Sequence, residues 1–124
     1  MFFRWLLFIA YVMLICWLSL TPSPPVIKDS FFGWDKAQHA GAYGGFTLLA
    51  GWACGAFPLD RKRCWQLAVV LAVVFGGVME IAQGTLTATR AAEWGDLLAD
   101  LVGALGAYCC IMMLSRILPR FKRS

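Results

Sequence analysis

The chain has 124 residues, of which 60% are hydrophobic and only 15% are charged, a composition that is rare for a soluble domain and indicates an integral membrane protein. At roughly 20 residues per span, this length allows about four membrane spans and no separate soluble domain. The net charge of +4 does not indicate nucleic-acid binding, because the basic residues lie at the ends of apolar runs, where membrane topology explains them.

The first two predicted spans differ in composition. The first covers residues 2–20 and is apolar except for Arg4. We interpret it as a retained helix rather than a signal peptide, because no small-residue cleavage site precedes the prolines that end it. The second span covers residues 36–57 and contains two Gly-x-x-x-Gly motifs, which begin at Gly41 and Gly51. Such motifs favour close helix packing in lipid.

The third and fourth predicted spans flank a polar loop. The third covers residues 65–83 and stays apolar until Glu80, and the fourth covers residues 96–115. The five cysteines lie in or beside apolar runs without a Cys-x-x-Cys pair, so we interpret them as small apolar residues. The sequence therefore predicts an all-α membrane protein, a four-transmembrane-helix bundle that forms a single domain over residues 1–124.

The distribution of basic residues predicts the orientation of this bundle. Eight of the eleven lysines and arginines fall at the N-terminus, in the second loop and in the C-terminal tail: Arg4, Arg61, Lys62, Arg63, Arg116, Arg120, Lys122 and Arg123. The other three, Lys28, Lys36 and Arg90, fall in the first and third loops. By the positive-inside rule, both the N- and the C-terminus are predicted to be cytoplasmic.

This layout brings polar residues of three spans to one depth on the extracytoplasmic side. They are Asp35, Lys36, His39 and Tyr43 of the second span, Glu80 and Gln83 of the third, and Asp96 and Asp100 of the fourth, with Arg90 in the loop between the last two. Lys36, His39 and Tyr43 recur at helical spacing and share one face. Ionisable groups inside a span are costly and are interpreted as functional by default. The sequence therefore predicts an outward-facing polar pocket.

The charges of this pocket leave its chemistry open. Five potential carboxylates face only Lys36 and Arg90, so either His39 is charged, some carboxylates hold protons, or a cation lies among them. The five are Asp35, Glu80, Glu93, Asp96 and Asp100. No recognised metal motif is present, and no cofactor is predicted. The alternative is a divalent metal on His39, Glu80 and Asp96. In an enzyme the same three residues would be catalytic, with His39 as general acid or base.

The ordered set of polar residues resembles the VanZ-like family of small bacterial membrane proteins. The resemblance covers nearly the whole chain: Ser19-Leu20-Thr21-Pro22, then Asp35-Lys36-x-x-His39-x-x-x-Tyr43, Glu80-x-x-Gln83, Arg90, Asp96 and Asp100-x-x-Gly103-x-x-Gly106. The chain departs from the family at Asp100, where asparagine is usual, so a further potential charge enters the pocket. The resemblance implies a multi-pass protein of the bacterial inner membrane and an association with teicoplanin resistance, but no established reaction.

We therefore expect the pocket to bind an anionic or polar component of the cell envelope, such as a lipid head group or a lipid-linked precursor. Lys36 and Arg90 would hold the anionic group, while His39, Glu80 and Asp96 would orient it or transfer protons. The predicted ligand-binding residues are Asp35, Lys36, Tyr43, Gln83, Arg90 and Asp100. Membrane lipids are the expected partners, and the oligomeric state is left open.

Three alternatives belong to other functional classes. The first is a membrane-embedded hydrolase or transferase that uses His39 and the carboxylates. The second is a small proton-coupled transporter with Glu80 as the proton carrier, an arrangement that the segregated basic residues disfavour. The third is a structural partner in a membrane complex, in which the polar cluster only ties helices together, each bond contributing roughly 1 kcal/mol.

Overall fold

The computed structural model of the protein describes residues 1–22, 34–89 and 91–118, and these residues form helices and turns without a β-strand. The four helices are α1 (Phe2–Leu20), α2 (Trp34–Cys54), α3 (Arg61–Leu86) and α4 (Trp94–Ile117). The predicted all-helical class is confirmed. The Lys28 position and most of the basic C-terminal tail lie outside the described residues.

Three of the helices, α1, α3 and α4, are long and apolar enough to cross a membrane. Large apolar side chains on each of them are exposed, including Ile9, Val74 and Val102. Such surfaces are unfavourable in water and favourable against lipid chains. The structure therefore has the features of a helical membrane protein.

The helix bounds differ from the predicted spans by a few residues at several ends. Helix α3 begins at Arg61 rather than at residue 65 because the Asp60 carboxylate accepts a hydrogen bond from the Arg63 backbone N–H (3.3 Å) and caps the helix. Helix α2 ends at Cys54 rather than at residue 57, and the chain then turns before Asp60. Helix α4 begins at Trp94, so Asp96 lies within its first turn.

Helix α2 is the centre of the bundle: like α3 it contacts each of the other three helices, and its contacts with them are the most extensive. It runs antiparallel to α1, with the Tyr11 hydroxyl donating to the Ala42 carbonyl oxygen (2.9 Å) near the middle of both helices and Arg4, near the start of α1, donating to the Trp52 carbonyl oxygen (3.3 Å) near the end of α2. It also runs antiparallel to α3 and parallel to α4. The starts of α2 and α4 and the end of α3 therefore lie together.

Next to the shared end of α2, α3 and α4, the core consists of aromatic side chains; further along the bundle it consists mostly of alanines. The Phe46 ring lies 5.1 Å from the Phe8 ring and 5.2 Å from the Phe75 ring, measured between ring centres, and Tyr43 stacks on the same group. Small residues, among them Ala50, fill the remainder of the buried cluster. An apolar layer thus separates the polar end of the bundle from the end that carries Arg4 and Arg61.

Glycines set the distances between helices. A Cβ atom added at Gly103 would collide with the backbone of Ala40, and one added at Gly44 would lie 3.3 Å from the Gly103 carbonyl oxygen. The α2 and α4 backbones therefore meet directly, as small residues allow in membrane helices. Within the first predicted Gly-x-x-x-Gly motif, Gly45 faces the Tyr11 ring, whereas Gly41 has open space around it.

We predict that Gly103→Ala destabilises the protein by about 1–3 kcal/mol, because the obstructing atoms are backbone and cannot turn aside. Gly106→Ala is the matched control: it lies one turn further along α4, with nothing within 4 Å of an added Cβ. This control should stay within about 1 kcal/mol of the parent, in the stabilising direction, since alanine favours helix. Unfolding of the purified protein in detergent, followed by circular dichroism, measures both. Equal effects of the two substitutions would contradict the close α2–α4 contact.

Candidate functional site

Four of the polar residues predicted to converge lie together at the shared end of α2, α3 and α4. We call the group His39, Glu80, Asp96 and Asp100 the polar cluster. His39 comes from α2, Glu80 from α3, and the two aspartates lie one turn apart on α4. Both α2 and α4 begin here, so the positive ends of two helix dipoles face the carboxylates and stabilise negative charge.

His39 occupies the middle of the polar cluster. Its Nδ1 atom lies 2.9 Å from Asp100 Oδ1, and its Nε2 atom lies 3.7 Å from Asp96 Oδ2. The side chain is 14% exposed. The imidazole therefore sits between two carboxylates of α4, with Nδ1 toward the deeper Asp100 and Nε2 toward Asp96.

Asp100 is the deepest charged residue of the cluster, with 1% of its surface exposed. Its Oδ1 atom meets His39, but its Oδ2 atom is buried without a hydrogen-bond partner among the described residues. A Cβ atom at Gly76 of α3 would lie 2.6 Å from Oδ2. Glycine at this position therefore leaves room for Oδ2 against α3.

Glu80 is buried (7% exposed) and connects α3 to the start of α4. Its Oε2 atom accepts a hydrogen bond from the backbone N–H of Glu93, the residue that precedes the first turn of α4 (2.8 Å). The Glu93 side chain itself makes no capping bond. Glu80 thus supplies from another helix the acceptor for the N-cap N–H that, in a capping box, the side chain three residues further on would provide.

Lys36 lies at the opening of the cluster. Its ammonium group is 3.1 Å from Asp96 Oδ1 and 3.4 Å from Glu93 Oε2, and its side chain is 51% exposed. The aliphatic part packs over Gly95, where a Cβ atom would lie 2.7 Å from Lys36 Cε. Lys36 therefore neutralises Asp96 in the structure and remains accessible.

The other predicted ligand-binding residues occupy different positions around the cluster. The buried Tyr43 ring lies parallel to the His39 ring, with 6.4 Å between the ring centres, on the side of the aromatic core. Gln83 is buried and donates through Nε2 to the Ser19 carbonyl oxygen (3.1 Å), so it ties α3 to the end of α1. Asp35 is exposed at the rim. Arg90 lies outside the described residues, so the structure does not test its placement.

Two features of the site were missed by sequence reasoning. Gly76, four residues before Glu80, had no assigned role. It lies in an apolar run, and nothing in that run shows that this glycine faces the Asp100 carboxylate. The backbone N–H of Glu93 was missed because sequence patterns report side chains, whereas this contact depends on where α4 begins. Gly103, by contrast, belonged to the VanZ-like pattern, and its contact with Ala40 gives that position a physical role.

Donor atoms around His39 form two overlapping sets that could hold a metal ion. The inner set is His39, Glu80 and Asp100, and the outer set is Asp35, His39 and Asp96; in each, the ligand atoms lie within 4.8 Å of one another. The predicted metal alternative of His39, Glu80 and Asp96 is thus divided between the two sets. The inner set is more buried.

These features define a small all-α membrane protein with an ionisable cluster at one end of its bundle. The chain is similar to an uncharacterized protein of the fission yeast Schizosaccharomyces pombe, with 30% identity over 118 residues. The alignment covers 94% of this chain and 64% of the yeast protein, so the chain spans less than two thirds of the length of that relative. No protein-family model and no solved structure matches the chain.

We predict that Glu80→Ala lowers the free energy of unfolding by about 1–2 kcal/mol, because the Glu93 N–H loses its acceptor at the start of α4. Glu80→Gln is the matched control, since its amide oxygen can still accept this hydrogen bond, and its loss should be smaller. Thermal unfolding in detergent measures stability, and faster hydrogen exchange of the Glu93 amide in Glu80→Ala locates the effect. An equally destabilised Glu80→Gln would show that charge, rather than capping, is what matters.

Proposed function

We propose that the chain is a VanZ-like protein of the bacterial inner membrane, with four spans, both termini in the cytoplasm and the polar cluster near the extracytoplasmic surface. The apolar lengths of α1, α3 and α4 support three of these spans. Helix α2 is less apolar, but its neighbours cover much of it, so it has less lipid-facing surface. The basic residues Arg4, Arg61 and Arg116 lie at the end opposite the cluster, which supports the orientation.

We predict that alkaline phosphatase fused after Thr89 is active in bacterial cells, because this loop would face the periplasm. The same enzyme fused after Asp60 should be inactive, and green fluorescent protein at the C-terminus should fluoresce. Phosphatase activity compared with fluorescence at each site measures the orientation. Activity at Asp60, or a dark C-terminal fusion, would contradict the four-span arrangement.

We further propose that the polar cluster binds the polar head group of a membrane lipid or lipid-linked envelope precursor. The observation that carries this proposal is the half-exposed Lys36 above a buried acidic floor at one end of a lipid-facing bundle. A phosphate oxygen can replace a carboxylate at the Lys36 ammonium, and Arg90 would supply a second, fork-shaped donor. Asp96 and His39 would then bind hydroxyl or amino groups of the same head group.

This arrangement suits a head group that carries both a phosphate and hydrogen-bond donors. A purely anionic ligand would meet Asp35, Glu93 and Asp96 near the opening, and like charges repel. The carboxylates can instead accept hydrogen bonds from hydroxyl or ammonium groups, as ionised carboxylates do. The association with teicoplanin resistance enters this proposal only through the resemblance to the VanZ-like family.

We predict that Lys36→Gln and Arg90→Gln each weaken binding of phosphatidylglycerol or a polyprenyl phosphate by about tenfold, since each loses one charge-assisted contact. Lys62→Gln, at the basic end of the bundle, is the matched control and should bind as the parent does. Native mass spectrometry of the protein titrated with each lipid measures the affinities. Unchanged binding in both site variants, with all proteins folded, would contradict the head-group assignment.

A second candidate function is hydrolysis or group transfer on the same head group. The observation that favours it is the buried Asp100 at His39 Nδ1, which can fix the imidazole and leave Nε2, on the side of Asp96 and Lys36, as a general base. In the lipid titration above, head-group release that Asp100→Asn abolishes would identify an enzyme. Binding without release would identify a binding protein.

A further inference from the structure

The inner set of donors has an oxygen atom that the fold leaves without a partner. Asp100 is 1% exposed, and its Oδ2 atom has no hydrogen-bond partner among the described residues. Buried polar atoms are nearly always paired, and a buried carboxylate oxygen is costly when it is not. A cation held by both oxygens of the Asp100 carboxylate would satisfy it.

The Oδ2 atom lies against α3, the helix that carries Glu80. Gly76 approaches Oδ2 closely because it lacks a Cβ atom, and Glu80 lies one turn further along α3 on the same face. His39 closes the third side through its contact with Asp100 Oδ1. Donor atoms from α2, α3 and α4 therefore surround one point, as a metal site in a helical bundle requires.

The distances fit an ion after a small contraction. Metal–ligand distances of about 2.1 Å place neighbouring ligand atoms about 3 Å apart and opposite ones about 4.2 Å apart. His39 Nδ1 and Asp100 Oδ1 are 2.9 Å apart, and all three donors lie within 4.8 Å of one another. A pair of donors at the 4.8 Å limit would thus close by about 0.6 Å to become opposite ligands of the ion.

The outer set is a weaker candidate on charge and exposure. Lys36 already neutralises Asp96 at 3.1 Å, and Asp35 is exposed to solvent. In the inner set, His39 is the only group among the described residues that could balance the charge of the two buried carboxylates, Glu80 and Asp100. A dication would balance their charge.

We propose that His39, Glu80 and Asp100 bind one divalent cation of the manganese-to-zinc class. One imidazole nitrogen with carboxylate oxygens is a mixed donor set that such ions accept, whereas calcium and magnesium favour oxygen ligands alone. Asp96, on the other side of the imidazole, would orient the ring from outside the coordination shell. This site does not depend on the proposed head-group binding, because all of its ligands belong to the chain.

The test uses the full chain in detergent, purified without a polyhistidine tag, treated with chelator and given no lipid. Titration with Mn²⁺, followed by electron paramagnetic resonance, should reveal one site per chain. Nitrogen modulation of the Mn²⁺ signal should be present in the parent and absent in His39→Gln. Competition with Zn²⁺, Mg²⁺ and Ca²⁺ then ranks the ions by affinity, and Zn²⁺ should displace Mn²⁺ best.

The variants separate the inner set from the outer set. Asp100→Asn and Glu80→Gln should each weaken Mn²⁺ binding by about tenfold or more, while Asp35→Asn should bind as the parent does. Circular dichroism confirms that each variant is folded, and the nitrogen modulation of the parent provides a test that needs no variant. Absence of a site in the parent overturns the proposal, as does unchanged binding in Asp100→Asn and Glu80→Gln. Loss of binding in Asp35→Asn alone would assign the ion to the outer set and also overturn it.

Discussion

The close parallel crossing of α2 and α4 is the constraint on which the site depends. At Gly103 the α4 backbone meets the α2 backbone at Ala40, with no side chain between them. His39 and Asp100 lie beside this crossing, on the same two helices, and their side chains are 2.9 Å apart. A wider crossing would separate imidazole from carboxylate and leave Asp100 buried without any partner. The contact between His39 and Asp100 therefore requires the close packing of α2 against α4.

Exposure to solvent falls from the rim of the site, at Lys36, to its floor, at Asp100 and Glu80. At the rim, Lys36 forms ion pairs with Asp96 and Glu93. Because Lys36 is half exposed, these ion pairs contribute little to stability and can be replaced by contacts with a ligand. Below it, Asp100 and Glu80 are buried, and charge there is costly unless it is balanced. The head-group proposal concerns the rim, and the cation proposal concerns the floor. One could therefore hold without the other.

Several contacts have a structural role whatever the ligand is. Glu80 caps α4, Gln83 holds the end of α1, and Tyr11 binds the Ala42 carbonyl, so these polar groups tie helices together. A purely structural cluster would account for these three residues. It does not account for Asp100 Oδ2, which is buried beside Gly76 without a partner among the described residues. This oxygen is the part of the site that helix packing alone leaves unexplained.

The sequence by itself determined the helices and the end of the bundle at which polar residues collect, because apolar run length and rise per residue fix both. It also nominated His39, Glu80 and Asp100. Only the tertiary structure decided their pairing: His39 with Asp100, Glu80 with a backbone N–H, and Lys36 with Asp96. Pairing depends on how each helix is rotated about its axis, and that rotation is set by contacts such as Gly103 on Ala40, which involve residues far apart in the chain. Composition and periodicity do not carry this information.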